Sequence, residues 1–305
     1  MLVVVTVAAW AGRFHPWLEL LPNARNQILL VAAIAATAWL VTGQRGPAAV
    51  AALVVAVHAA YLVPYVLATP DPEPTAAATV RAMQYNIFYN NDDLSAVAGH
   101  IIESDADVVA IHELLPEVWV TLEPQLDGEY PHRYAVPFDE HEGQLSGGMA
   151  LLSKTPLSPV QVPDKFSPPD RVLLAATTEI DSQPITVIGL HPHASRFESR
   201  KVELRETQIE GVTELATGTD NAVMVLADMN VTPTSPMYQD LLTDLGWRDP
   251  HRVAGWDSTW PTWGGPLGFP IDHVLVSDHF AIHGAQTGNG AGSDHRSLTV
   301  DLSLR

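Results

Sequence analysis

The sequence predicts an α/β protein in which β-sheets are covered by helices and are preceded by apolar helices at the amino terminus. Charge is divided unevenly along the 305 residues: residues 1–68 carry four charged side chains, whereas residues 69–305 carry 13 Lys/Arg and 34 Asp/Glu. In the second part, short apolar runs bounded by turn formers recur, with helical patterns between some of them. Strands mixed with helices, without strict alternation, indicate sheets covered by helices.

Three apolar stretches make up residues 1–68. Met1–Ala11 is too short to span a bilayer and is interpreted as the end of a first span, with a signal-peptide core as the alternative. Asn26–Thr42 has borderline length, and Ala48–Ala68 is long enough. We therefore expect two complete transmembrane helices and one partial one, hence a multi-pass protein of the cell membrane. Buried helices in a soluble protein are the alternative.

The orientation in the membrane is weakly specified by the basic residues. Arg13 and Arg25 flank the loop before the second stretch, and Arg45 lies in the loop after it. By count, the positive-inside rule places the earlier loop in the cytoplasm, whereas a missing basic amino terminus would reverse this. Proteins of this layout usually have three spans and an extracytoplasmic domain, which is our expectation. Thr69–Ala78 has Pro at three alternate positions and predicts a stiff linker.

Composition restricts the chemistry of residues 69–305. The chain has no cysteine, which excludes disulfides, thiol nucleophiles and cysteine–zinc sites. The formal charge of this part is −21, so a basic groove for a phosphate backbone is not apparent. Nucleic acid is therefore not favoured as a partner. It stays possible, because a bound metal ion can invert the sign of the local field.

Eight runs of four to nine residues, rich in β-branched side chains, predict strands in residues 79–305. Helical patterns are predicted for Leu94–Ser104 and Glu198–Ala216. The predicted strands are Val80–Ile87, Asp107–His112, Gly148–Ser153, Val172–Ile180, Pro184–Leu190, Ala222–Leu226, His273–Ser277 and Ser297–Leu302.

Six strand ends carry a carboxylate, an imidazole or an amide. Side chains at one edge of a packed sheet can converge on a single cleft, so we expect these groups to meet. They are Asn86, Glu113, His191, the pair Asp228 and Asn230, Asp272, and the pair Asp294 and His295.

The sequence around these residues contains the motifs QYNIF, IHEL, IGLHPH, ADMN, IDHV and GSDH, in that order. Together with the segment GGMALLSKTPL, they resemble the motifs of the endonuclease/exonuclease/phosphatase, or DNase-I-like, superfamily. The resemblance implies a catalytic domain over residues 79–305, folded as a four-layered α/β sandwich of two mixed β-sheets flanked by helices. It also implies a hydrolase acting on phosphate esters.

The resemblance assigns a role to each residue. Hard divalent cations take oxygen ligands, so Mg²⁺ or Mn²⁺ is the implied cofactor. The implied metal ligands are Asn86, Glu113 and Asp294. The implied catalytic residues are His191, Asp228, Asn230, Asp272 and His295, with Asp272 holding His295 in one tautomer.

A few residues are weaker candidates. His193, Arg196 and Trp260 are expected to bind substrate. His112 and His273 adjoin motif residues without an assigned role. Trp256 and Trp263 lie with Trp260 in a Gly/Pro-rich loop, which either packs on itself, forms an apolar wall for substrate or touches lipid head groups.

The leading hypothesis is a membrane-tethered, metal-dependent phosphoesterase acting on a small or lipid-borne phosphoester. A metal-dependent DNA or RNA nuclease is the first alternative. An inactive membrane-anchored binding protein is the second, although every motif position retains its catalytic residue type. Fold alone does not determine the substrate.

Overall fold

The computed structural model describes residues 1–11, 15, 18, 20–67, 69–72, 79–138, 147–168, 171–194 and 198–305. It begins with four helices: α1 (Leu2–Trp10), α2 (Leu20–Asn23), α3 (Arg25–Val41) and α4 (Arg45–Val66). Helices α3 and α4 pack side by side, and their outer faces expose apolar side chains such as Ile34 and Leu53. Among the described helices one, α4, is long and apolar enough to cross a membrane, because α3 has 17 residues.

Two mixed β-sheets follow. The first has the strand order β10-β11-β1-β2-β4-β3 and the second β5-β6-β7-β8-β9. The strands are β1 (Thr79–Asn86), β2 (Val108–His112), β3 (His132–Val136), β4 (Met149–Ser153), β5 (Val160–Gln161), β6 (Leu173–Ile180), β7 (Gln183–Leu190), β8 (Ala222–Asp228), β9 (Asp272–Val276), β10 (Phe280–Thr287) and β11 (Leu298–Leu304).

Helices cover the outer face of each sheet, which confirms the four-layered α/β sandwich. The first sheet is covered by α5 (Leu94–Glu103) and α6 (Pro116–Leu126), and the second by α7 (Ser199–Thr217) and α8 (Pro236–Leu245). A short α9 (His251–Ala254) follows α8. Between the sheets lies a core of apolar side chains, including Met149, Leu174 and Val300. Burial on both faces explains why several strands are continuous apolar runs.

Local sequence explains where several helices begin and end. Asp93 caps α5 by accepting a hydrogen bond from the Ala96 amide at 3.1 Å. Pro116 stands at the start of α6, and α8 ends at Gly246, whose φ is +64°. Only glycine fits at position 211 of α7, because a Cβ there would lie 2.5 Å from Phe166 Cγ. The helix can therefore approach the second sheet closely.

All eight predicted strands and both predicted helices are present, with ends that differ by at most two residues. Three strands of the sandwich, β3, β5 and β10, and three of its helices, α6, α8 and the short α9, were not predicted. Part of the predicted linker, residues 73–78, lies outside the described residues. At its start, Asp71 is bound to the sandwich, because its carboxylate accepts hydrogen bonds from the guanidinium of Arg248 and the amide of Ile282.

Candidate active site

The predicted residues converge because their strand ends meet at one edge of both sheets. Strands β1 and β2 run parallel, so Asn86 lies opposite His112 and Glu113 follows directly. In the second sheet β7 and β8 are parallel, which brings the ends of both strands together. Strands β9 and β11 run antiparallel to β8 and β1, so their beginnings lie at the same edge.

Asp272 and His295 form the best-defined pair of the site. The Asp272 carboxylate lies 2.9 Å from His295 Nδ1 through one oxygen. Its other oxygen accepts a hydrogen bond from Gln84 Nε2 at 2.8 Å. All three side chains are buried. Because the carboxylate accepts the Nδ1 proton, His295 Nε2 is left facing the other polar groups of the cleft.

A second buried group surrounds Asp228. One carboxylate oxygen accepts a hydrogen bond from Asn86 Nδ2 at 2.9 Å and lies 3.4 Å from His191 Nε2. The other oxygen accepts from the amide of Asn230 at 3.1 Å. The same Asp228 oxygen that binds Asn86 is 3.8 Å from His295 Nε2, so the two groups form one continuous cluster.

Backbone strain marks three residues of the cleft. Phe88, Glu113 and Asn230 have φ values of +59°, +63° and +55°, in the region that side-chain-bearing residues rarely adopt. Such conformations persist where the surrounding structure determines them, and they are concentrated at functional sites. At Asn230 the side chain is also fixed, because Nδ2 donates to the Pro192 carbonyl at 3.1 Å.

Two further carboxylates face the cluster. Glu113 accepts a hydrogen bond from the amide of Tyr89 at 3.1 Å. Asp294 accepts one from Trp260 Nε1 at 3.0 Å, while its other oxygen is buried and has no hydrogen-bond partner among the residues that the structure describes. Three carboxylates, those of Glu113, Asp228 and Asp294, therefore line one cleft, and the fully buried Asp272 lies behind His295.

The charge states follow from burial and from these neighbours. Burial would lower the pKa of His295, but the carboxylates of Asp272 and Asp228 outweigh it and raise that pKa well above its ordinary value. Burial, with the Asp272 charge, raises the pKa of Asp228. Burial likewise raises the pKa of Glu113 and lowers that of His191. These pKa shifts favour a protonated His295 beside a neutral His191.

The donor set fits a hard divalent cation. Donor atoms of Glu113, His191 and Asp228 lie within 4.8 Å of one another. Two of these three donors are carboxylates, and the carboxylate of Asp294 lines the same cavity as Glu113 and Asp228. Oxygen-rich sites of this kind suit Mg²⁺ or Mn²⁺.

The cleft is a cavity of about 520 Å³. Its polar lining residues include Glu113, Asp228, Asn230, Asp294 and His295. Its apolar lining residues include Phe88, Phe269 and Ile271, together with Leu20 and Ala24 of the amino-terminal segment, and the ring of Trp260 also lines it.

The family is decided by comparison with known proteins. The sequence matches the Endonuclease/Exonuclease/phosphatase family over residues 83–295. The chain belongs to this family. Members of the family are hydrolases that act on phosphoester bonds and typically use divalent metal ions. No comparable match was found among curated proteins.

Solved structures of the family have the same fold. An endonuclease/exonuclease/phosphatase from Beutenbergia cavernae has a TM-score of 0.61 and 20% identity, covering 74% of this chain and 72% of that chain. Truncated TDP2 of Caenorhabditis elegans has a TM-score of 0.59 and 16% identity, with coverage of 74% and 98%. The human Nocturnin catalytic domain, with bound sulfate, has a TM-score of 0.59 and 17% identity, covering 75% of this chain and 96% of that chain. At these identities the likeness concerns the fold alone.

The weaker candidates have different positions. Trp260 lines the cleft and donates to Asp294, whereas Arg196 lies outside the described residues. His193 is buried close to His191, and its expected contact with substrate stays a prediction. His273 does not reach the cleft: its Nε2 lies 2.7 Å from the Val231 carbonyl, and its ring packs on Tyr238.

Several residues of the site were missed in the sequence. Gln84 and Thr259 bind Asp272, and Phe88 and Tyr89 line the cleft. Gln84 could have been found, because it lies two residues before Asn86 and therefore on the same face of β1. The amino-terminal contributions of Leu20, Asn23 and Ala24 had no comparable signal.

Proposed function

We propose that this protein is a membrane-tethered, divalent-metal-dependent phosphoesterase that hydrolyses a small or lipid-borne phosphate ester. The observation that supports it best is the convergence of Asn86, Glu113, Asp228 and His295 in one cleft. Each of these groups is suited to phosphoester cleavage, which requires charge stabilisation at phosphorus and activation of water.

Glu113, Asp294 and Asn86 would hold the Mg²⁺ or Mn²⁺ ion, with Asp228 close by. When bound, such an ion neutralises charge on the phosphate oxygens and lowers the pKa of water. Asn230 and His191 would hold the phosphate beside Asp228. The Asn230 side chain is fixed by its hydrogen bond to the Pro192 carbonyl, and His191 Nε2 lies 3.4 Å from the Asp228 carboxylate.

His295 donates a proton or a hydrogen bond from Nε2 in this mechanism. The Asp272 carboxylate accepts a hydrogen bond from the Nδ1–H of His295, so the ring has a single orientation and Nε2 is left for the cleft. A protonated Nε2 can stabilise charge on a phosphoryl oxygen or protonate the leaving oxygen. Asp228, whose carboxylate lies 3.8 Å from His295 Nε2, would orient the attacking water.

Charge favours a small or lipid-borne substrate over duplex DNA. Residues 69–305 carry a formal charge of −21, and duplex binders gain most of their affinity from many Lys/Arg contacts with phosphates. A repulsive field at long range opposes the approach of a polyanion.

We also propose that α3 and α4 both cross the membrane, with the sandwich outside the cytoplasm. Arg25 is 3% exposed and its guanidinium lies 3.5 Å from the centre of the Tyr61 ring, so it is not a free charge flanking the helix. Arg45, between the two helices, is exposed. Placing that turn in the cytoplasm satisfies the positive-inside rule among the described residues.

A substrate panel tests the proposed function. Full-length protein in detergent is assayed with Mg²⁺ on plasmid DNA, a phospholipid and a soluble phosphomonoester, and again with chelator. We expect metal-dependent turnover of the phospholipid or of the monoester. Cleavage of plasmid alone would show a nuclease instead, and no metal-dependent turnover in any arm would favour the inactive binding protein.

A further inference from the structure

The amino-terminal segment Leu20–Ala24 forms part of the active-site cleft. Leu20, Asn23 and Ala24 line the same cavity as Glu113 and His295. More than 60 residues separate this segment from Asn86, the first of the predicted site residues along the chain, and the two apolar helices α3 and α4 lie between them. The cleft is therefore completed by a part of the chain that precedes the sandwich.

Buried hydrogen bonds fix this segment on the sandwich. Asn23 Oδ1 accepts from the amide of Thr232 at 2.9 Å and from its hydroxyl at 3.1 Å. The hydroxyl of Thr234 donates to the Pro22 carbonyl at 2.8 Å. Asn23 is 7% exposed and Thr232 is fully buried. Buried polar groups of this kind are costly to leave unpaired, so the contact is a built part of the fold.

The same interface continues on both sides of the cleft mouth. Asn26 and Gln27, at the start of α3, each donate to a carbonyl at 2.6 Å, those of Pro266 and Leu267. At the end of α4, Tyr65 OH donates to the Pro233 carbonyl at 3.2 Å. Both apolar helices therefore meet the sandwich beside the cleft. Trp263, in the loop that binds α3, is 86% exposed.

The residues that line the cleft are of two kinds. Carboxylates and His295 are the polar ones, where a phosphate and a metal ion are expected. Leu20, Ala24, Phe88, Phe269 and Ile271 line the same cavity with apolar side chains and together are the apolar wall. A soluble phosphomonoester has no group to place against these apolar side chains. The apolar wall is also continuous with α3 and α4, which expose apolar side chains along their length.

We propose that Leu20 and Ala24 belong to the substrate-binding site and that the substrate is an amphiphilic phosphoester, whose alkyl or acyl chain lies along this wall. The inference rests on the proposed function and narrows its substrate class. The phosphate would lie against the polar residues of the cleft, and the chain would leave toward α3 and α4. The segment Leu20–Ala24, which joins the sandwich to the apolar helix α3, would then also help to select the substrate.

A chain-length series tests the inference. The probes are alkyl p-nitrophenyl phosphates and alkyl phosphates with methyl, butyl and octyl chains, given to the full-length protein in detergent with Mg²⁺. We expect kcat/KM to rise with chain length, by up to roughly fourfold for each methylene group that is fully buried. In the double variant Leu20→Asn/Ala24→Asn, the ratio of octyl to methyl kcat/KM should fall toward one.

Two further variants control for misfolding and for detergent. Ala24→Leu keeps the wall apolar but narrows the cleft, and should lower the octyl-to-methyl ratio through KM. Leu40→Asn makes the same chemical change at the far end of α3, where the side chain is 63% exposed, and should keep the wild-type ratio. A flat wild-type series, or an unchanged ratio in the double variant, would overturn the inference while methyl-ester turnover still supports the phosphoesterase. Absence of turnover on every probe would overturn both.

Discussion

The bond between Asp272 and His295 gives the sharpest test of the proposed mechanism, through the substitution Asp272→Asn. The side chain keeps its size and can still accept the hydrogen bond from Gln84 through its amide oxygen. Its NH₂ group then faces His295 Nδ1, which lies 2.9 Å from the present carboxylate. Because an amide NH₂ cannot accept the Nδ1 proton, His295 must change its tautomer or lose this bond.

The expected loss is large because Asp272 acts on both the orientation and the charge of His295. Removing a group that orients a catalytic histidine, or the acid–base help itself, costs roughly 10²–10⁴-fold in turnover. This corresponds to about 3–5 kcal/mol in activation free energy. We expect kcat to fall by that factor with little change in metal affinity. His295→Ala should lower kcat by a similar factor with the metal still bound.

The two substitutions should not add, because they remove one function. The double variant Asp272→Asn/His295→Ala should therefore be no slower than His295→Ala within about threefold, whereas independent sites would multiply their losses. Asp249→Asn serves as control, since Asp249 is a buried carboxylate that accepts from the amide of His251 and does not line the cleft. Kinetics are measured at saturating Mg²⁺. Multiplied losses in the double variant, or an Asp272→Asn variant of near wild-type kcat, would refute the positioning role.

Two other predictions concern the amino-terminal part. The full-length chain should enter the detergent-rich phase on phase separation, because α4 is long enough and apolar enough to span a bilayer; recovery in the aqueous phase would contradict the tether. Asp71→Asn should lower the free energy of unfolding by about 1.5–3 kcal/mol at pH 7, the usual contribution of a charge-assisted hydrogen bond. Arg248 holds the pKa of Asp71 below its ordinary value, so the stabilisation is full above about pH 4 and is lost as the pH falls further. Thermal unfolding of both proteins between pH 7 and pH 3 should show the difference shrink, and a constant difference would argue against this linkage.

The central strands could be predicted because burial on both faces leaves an unambiguous pattern. Strands β2 and β8 are buried along their whole length, and each is an unbroken apolar run. Strands β3 and β10 lie at the two edges of the first sheet, and β10 contains Gly and polar residues. Edge strands need fewer apolar side chains, so their pattern is weak. Strand β5, with two residues, is shorter than any periodic signal.

The site residues could be predicted from the sequence where they lie at the end of a predicted strand. A carboxylate or imidazole after a buried strand is placed by that strand, so the positions of Asn86, Glu113 and Asp228 followed from the sequence. The wall formed by Leu20 and Ala24 did not, because it depends on contacts with residues about 210 positions later, such as Thr232. Apolar periodicity indicates that a residue is buried. It does not indicate which distant segment covers that residue.

Metal binding at the cleft can be tested without any substrate. The carboxylates of Glu113, Asp228 and Asp294 line one cleft. Burial raises the pKa of Glu113 and of Asp228 there, because ionised carboxylates are poorly solvated. A divalent cation relieves this cost only in the folded protein, so it should stabilise the fold. Free metal at 100 times its dissociation constant stabilises by about 2.7 kcal/mol.

Glu113→Gln should reduce this stabilisation, because a charged oxygen ligand becomes a neutral one. Thermal unfolding with increasing Mg²⁺ or Mn²⁺ should show a smaller rise in Tm for this variant than for the wild type. Without metal, the variant should unfold at the wild-type temperature or above, since a carboxylate that is costly to bury has been removed. Glu117→Gln, an exposed change in the first turn of α6, should keep the full metal response. An equal rise in Tm for Glu113→Gln and the wild type would remove Glu113 from the metal site, and no rise in either would argue against a metal at this cleft.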